Sequence, residues 1–145
     1  MQTKTEFATE VYLAGLNCAQ AVLGAFCEDY GIDKEKALEL STGLGGGCSL
    51  GELCGAVMGA AMVVGLKYGR HKADDIDTKK NCEAKVAQFI NEFKATHVHV
   101  SCRDLLGYDI STEEGMAKKR LIPRAESPCN DFVRNAVEIL EKLGY

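Results

Sequence analysis

Tryptophan is absent from the 145 residues and proline occurs only twice; neither scarcity bears on function. Other absences exclude more. There is no excess of basic residues. The net charge is −4, which argues against a nucleic-acid binder, since such domains are normally basic. There is no long apolar run either. The stretch Val57 to Leu66 is too short and too glycine-rich to span a bilayer, so no membrane insertion is expected. The opening residues, MQTKTEFATE, are polar and acidic where a signal peptide would be apolar. A cytoplasmic location is therefore the expectation. No Cys-x-x-Cys-His is present, so no c-type haem is expected. The closely spaced Cys-x-x-Cys pairs that usually hold zinc are missing as well.

What the chain does have is seven cysteines. The number is odd. In a reducing compartment, clustered thiols more often mean metal binding or redox work than structural bridges. At this length the chain reads as a single domain, residues 1–145, long enough to bury a real core. No internal repeat and no persuasive pair of strands occurs, so the expected fold is all-α.

The stretch from Gly43 to Gly69 organises the rest. Gly45, Gly46 and Gly47 run into Cys48. Ser49 and Glu52 then have the spacing of a capping box ahead of an apolar run, which predicts Cys54 in the second turn of a helix. That helix is apolar all round, as a central helix must be, and Gly55, Gly59 and Ala60 would let neighbours approach closely. A bundle of five to seven helices around this Gly/Ala-rich element is expected. The glycine loop is not a phosphate cradle, since no Lys-Ser/Thr follows it.

The remaining elements follow from periodicity and caps. Thr5 to Ala14 reads as a first helix, with Gly15 ending it and Asn17 capping a second, Cys18 to Tyr30. Cys27 lies on about the opposite face from Cys18. Lys34 to Ser41 forms a third helix. Thr78 caps another running to about Ala95, with Cys82 on its buried stripe. Thr96 to Val100 is β-like but too short to seed a sheet. Ser101 caps a short helix at Cys102. Ser111 to Ala125 is aperiodic and basic, a surface excursion or mobile lid. Ser127-Pro128 opens the last helix, just before Cys129, as a cap followed by Pro at the first helical position does.

Cys18, Cys102 and Cys129 thus lie at predicted helix starts, with Cys54 one turn further in. A helix N-terminus carries partial positive charge and free N–H donors, which favours the thiolate, the form that attacks and ligates. The same N–H groups can donate to cluster sulfides.

These residues resemble the family named by its cysteine pattern, C_GCAxxG_C_C, a module also similar to part of split-Soret cytochromes c. The resemblance rests on Asn17-Cys18-Ala19-Gln20-Ala21-Val22, the Gly45-Gly46-Gly47 loop, and Gly51-Glu52-Leu53-Cys54-Gly55-Ala56-Val57-Met58-Gly59-Ala60. Cys102-Arg103-Asp104-Leu105-Leu106-Gly107 and Cys129 complete it. It covers almost the whole chain. It implies a small helical redox-active protein whose hallmark cysteines match Cys18, Cys54, Cys102 and Cys129. Cys27, Cys48 and Cys82 fall outside the pattern, and no appended cytochrome portion is expected.

Two functional expectations remain. In the first, the four hallmark thiolates hold an iron–sulfur cluster for electron transfer with a redox partner protein; four cysteines is the usual ligand count. A four-cysteine zinc or structural site has the same count. In the second, two cysteines, Cys48 with Cys54 or two of the hallmark four, cycle between dithiol and disulfide. Cys48 ranks behind the four, as a fifth ligand or resolving thiol. Cys82 reads as core and Cys27 as incidental. His97 and His99 read as loop histidines rather than ligands, and Arg103 either offsets thiolate charge or forms a surface ion pair. The basic run Lys118 to Arg124 would dock an acidic partner or simply be solvated. A homodimer is compatible with the sequence but not required by it.

Overall fold

A computed structural model describes all of residues 1–145 and contains eight α-helices and no strand. They are α1 (Lys4–Leu13), α2 (Cys18–Phe26), α3 (Lys34–Leu40), α4 (Gly55–Tyr68), α5 (Ile76–His97), α6 (Cys102–Leu106), α7 (Glu113–Leu121) and α8 (Pro128–Lys142). The all-α expectation holds. The stretch read as aperiodic supplies α7: the Thr112 hydroxyl caps it by accepting from the Gly115 N–H, with Glu113 and Glu114 in its first turn and Lys118 to Arg120 in its last. Both charge placements suit the helix dipole. Periodicity misses such a helix because it buries only Gly115.

The centre of the bundle is shared. Helix α2 packs on α1, α3, α4 and α8, and α4 packs on α2, α5 and α8. Their crossing is close because glycine lies in it. A Cβ on Gly59 would stand 2.9 Å from the Ala19 carbonyl, and one on Gly55 would overlap the Cys18 sulfur. Around this crossing Phe26, Phe89, Phe93 and Leu140 are fully buried with a set of valines. Helix α8 buries Phe132, Val133, Ala136, Val137, Ile139 and Leu140 along one face, the larger of these contributing about 1.5–3 kcal/mol each.

Several caps form as the sequence predicts. Asn17 and Gln20 make a reciprocal capping box at α2, Ser101 accepts from the Asp104 N–H, and Ser127 caps α8 with Pro128 at its start. Two do not. Asp75, not Thr78, caps α5, so that helix begins at Ile76. The Ser49–Glu52 capping box does not exist either. Helix α4 starts at Gly55 with Cys54 itself at the N-cap and no side-chain cap. Ser49 instead belongs to a left-handed turn, in which Gly46, Gly47, Cys48 and Ser49 all have φ between 58° and 65°. Glu52 turns away to pair with Arg103. The residue types match a capping box, but Ser49 at φ 62° lacks the extended conformation of an N-cap, and Gly51 at φ 71° cannot lie in a right-handed first turn.

Candidate thiol site

Each hallmark cysteine is delivered by a helix start. Cys18 and Cys102 are the first residues of α2 and α6, Cys129 is the second of α8, and Cys54 is the N-cap of α4. The correction to α4 therefore brings Cys54 nearer the helix end than its spacing predicted. Cys54 and Cys102 are set side by side by an antiparallel bridge between Leu53 and Ser101. The Cys54 N–H donates to the Val100 carbonyl at 2.7 Å and the Cys102 N–H to the Glu52 carbonyl at 2.6 Å. The stretch Thr96 to Val100 forms no strand, as its length predicts; only the Val100 carbonyl takes part beside this bridge, which positions two of the thiols.

The other anchors are polar side chains. Asn17 Nδ2 donates to the Thr42 carbonyl at 2.7 Å, and Gln20 Nε2 to the Leu38 carbonyl at 2.9 Å. These bonds fasten the start of α2 to the segment that enters the glycine loop. Arg124 reaches across to donate to the Tyr12 and Leu16 carbonyls, both at 2.8 Å. It thereby satisfies carbonyls left over at the end of α1, with its guanidinium over the Tyr12 ring.

Cys18, Cys54, Cys102 and Cys129 all line one cavity of about 40 Å³, beside Tyr12 and Lys119. At ~10–15 Å³ per water it has room for about three waters. Cys18 is the acidic thiol. A hydrogen bond from the Cys54 thiol holds it down at about 6 against the opposing effect of burial. The N–H groups of Gly46 and Ala19 and the charge of Lys119 act in the same direction. The left-handed turn gives Gly46 a purpose here: its φ of 65° is a conformation that favours glycine, and it brings this N–H toward the sulfur. Cys54 is pushed well above the ordinary range by its bond to Cys18, then by burial and by the Cys18 charge.

Cys102 rises to about 11, through burial and then the charges of Cys129 and Cys18. Its helix has only five residues, too few for a dipole that would offset this. Cys129 is also raised, chiefly by burial, against the help of the Ser127 and Tyr12 hydroxyls. Tyr12 itself is held up at about 12 by burial and by Cys129, so it stays a neutral donor. The four thiols thus resist ionising together, and one pair, Cys18 with Cys54, shares a proton.

The remaining candidates lie elsewhere. Cys48 is exposed on the left-handed turn and does not line the cavity. Cys27 is fully buried, and Cys82 packs against the core. His97 closes α5, where its Nε2 meets the Asn135 side chain at 3.0 Å and its ring rests on Phe93 and Phe132. His99 is exposed. Arg103 pairs with Glu52 at 2.6 Å and donates to the Gly51 carbonyl, so it braces the loop. Tyr12 joins the site without any trace in the sequence, Lys119 was only a member of the basic run, and Gly46 was named only as part of the glycine loop.

Donor type and count suit a thiolate-bound centre. Placement suits it less closely, because no three Cys, His, Asp or Glu side chains are grouped to hold a single metal ion. A mononuclear zinc site, with four sulfurs ~2.3 Å from one point, is therefore not formed by these residues as they stand. Burial and neighbouring groups raise Cys54, Cys102 and Cys129, and a cationic centre would offset that.

No helix is long and apolar enough to cross a membrane. No curated protein and no solved structure matches the chain. A family model described as "Putative redox-active protein (C_GCAxxG_C_C)" matches residues 16–143. That span takes in all four cavity cysteines together with Asn17, the left-handed turn and Lys119, and the chain belongs to the C_GCAxxG_C_C family.

Proposed function

We propose that the cavity is a redox centre in which Cys18, Cys54, Cys102 and Cys129 bind an iron–sulfur cluster, and that the protein passes electrons to and from a partner protein. One observation carries this reading: four thiols from four different helix starts line a single cavity. When bound, the cluster supplies reversible one-electron transfer. The chain's own groups hold and tune the sulfurs. The N–H groups of Gly46 and Ala19 favour the Cys18 thiolate, the Tyr12 hydroxyl favours that of Cys129, and Lys119 supplies a positive charge nearby. Anaerobic purification and reconstitution, with iron, sulfide and zinc analysis and a visible spectrum, test it. Iron and sulfide in near-equal amounts, lost on changing any of the four cysteines to serine and kept in Cys82→Ala, are expected. A colourless, metal-free protein after reconstitution sinks the proposal.

A specific observation favours a second reading. Cys18 and Cys54 line the same cavity, and Cys54 holds Cys18 down at about 6 while being held up itself, the polarity from which a dithiol acts. Cys18 would attack a sulfur of a partner's disulfide, forming a mixed disulfide and releasing one partner thiolate. Cys54, losing its proton, would then displace the second, leaving a Cys18–Cys54 disulfide and a partner dithiol. Redox titration of the metal-free protein followed by peptide mapping reads this directly. A Cys18–Cys54 bridge forming reversibly supports it, and oxidation that scatters over other pairs ends it.

A further inference from the structure

Beside the thiol cavity lies a groove of about 340 Å³, lined by Met116, Lys119 and Arg120 of α7, by Ile122 and Arg124, and by Tyr12 and Ser127. Three of those residues, Tyr12, Lys119 and Arg124, also line the thiol cavity, so the two spaces share a wall. The groove contains three cations and no carboxylate. Arg124 is occupied by the carbonyls at the end of α1. Lys119 and Arg120 have no ion-pair partner, whereas the neighbouring Lys118 is paired with Glu114. Two uncompensated cations therefore face a recess that ends at the thiols.

We infer that this groove binds a small anion, a molecule carrying a carboxylate or phosphate group, and presents it to the thiol cavity. A concave space of a few hundred Å³ is the size of a small-molecule site, and paired cations at its wall concentrate anions there. Lys119 stands at the junction, where it can hold the anionic group while the rest of the ligand faces Cys18. The inference deepens the redox reading by giving the centre a low-molecular-weight ligand. It requires only the thiols and the groove, not a cluster.

Site-resolved alkylation of the reduced, metal-free protein tests it, with iodoacetate as the anionic probe and its neutral analogue iodoacetamide as the reference. Peptide mass spectrometry gives the anionic-to-neutral rate ratio at each cysteine, and exposed Cys48 serves as the internal standard. Cys18 is expected to show a ratio ~3–10-fold above that of Cys48, the order of enhancement that two nearby cations provide in a mostly aqueous setting. Inorganic phosphate should suppress it in competition. Lys119→Ala/Arg120→Ala should bring the ratio down to that of Cys48 while the circular dichroism spectrum and melting temperature stay put. A ratio at Cys18 equal to that at Cys48 overturns the inference, and so does a raised ratio that survives the double substitution. Because no metal is present, failure here leaves the cluster reading standing, and failure of reconstitution leaves this result standing.

Discussion

Cys18 opens α2, and Cys27 caps its other end. The same helix thus holds two thiols in opposite electrical surroundings. At the first, backbone N–H groups point at the sulfur, the Cys54 thiol donates to it, and it ionises at about 6. At the second, the thiol itself donates to the Gly24 carbonyl at 3.6 Å, and burial together with the Glu28 charge pushes it up. The largest influence at the first sulfur is the Cys54 thiol, with the N–H groups of Gly46 and Ala19 and the Lys119 charge acting in the same sense. At the second it is burial, and helix polarity only adds to the contrast. Burial alone does not separate them, since both ends are packed. What separates them is the company each sulfur keeps: a neighbouring thiol and N–H groups at one end, a carbonyl at the other.

The most damaging way to break that contrast is to fill the space the first sulfur occupies. In Gly55→Ala the new methyl would overlap Cys18 Sγ and stand 3.1 Å from the Leu44 carbonyl. A loss of about 1–3 kcal/mol is expected from such overpacking, with Cys18 displaced from its donors. Gly65→Ala, in the same helix, meets nothing within 4 Å. It should be neutral or stabilise by up to about 1 kcal/mol. Thermal melts of the two variants side by side decide the matter. Equal melting temperatures would mean that α4 and α2 do not cross as closely as described.

The second test removes the donor rather than the space. Cys54→Ala should let Cys18 rise from about 6 toward the ordinary ~8.5. Thiolate absorbance against pH reads this, and the ionised share at pH 7 should fall from roughly nine-tenths to a few per cent. Stability of the reduced protein carries the same signature. A thiol depressed from 9.0 to about 6 on folding adds stability that is complete above pH 9 and is lost as pH falls toward 6. Cys102, raised from 9.0 to about 11, acts oppositely, and its contribution is lost as pH rises through that range. Stability should therefore climb from pH 6 to 9 and decline beyond, and Cys54→Ala should flatten the climb. A reduced protein equally stable at pH 6 and 9 contradicts the assignment.

How far the sequence announces all this depends on what kind of signal each part leaves. Caps made by short polar side chains are legible, because Asn17, Ser101 and Ser127 act within three residues of themselves. Cys18, Cys102 and Cys129 are legible for the same reason, each tied to its own cap, whereas Cys54 opens α4 with no side-chain cap. The grouping of those cysteines came from the resemblance to a family, not from spacing. Long-range contacts leave no local mark: the Leu53–Ser101 bridge, and Arg124 holding carbonyls of α1, join residues far apart in the chain. The Ser49–Glu52 pattern misled because the composition of a capping box says nothing about φ, and the glycines before it turned the backbone left-handed. Helix α7 was invisible to periodicity because it lies on the surface and carries cations to the groove instead of an apolar face to the core.

A third variant loosens the reactive end without touching sulfur. Asn17→Ala deletes the α2 cap, about 1 kcal/mol, together with the bond to the Thr42 carbonyl. Exchange of the Gln20 amide, which donates to the Asn17 side chain, with deuterium should quicken more than that of the Phe26 amide, at the far end of the same helix. Uniform quickening along α2 would mean that the cap fixes the whole helix and not its reactive end.

The smallest effect is expected at the other cysteine. Cys27→Ala removes one fully buried sulfur and should cost about 1 kcal/mol, a cavity the size of a single atom. Its thiol gives its proton to a carbonyl of its own helix and touches none of the groups that hold Cys18. The Cys18 titration, the visible spectrum after reconstitution and the alkylation ratio should all match those of the unaltered protein. A shifted Cys18 titration in Cys27→Ala would show that the two ends communicate along α2, and the contrast between them would then belong to the helix as a whole rather than to the groups at each terminus.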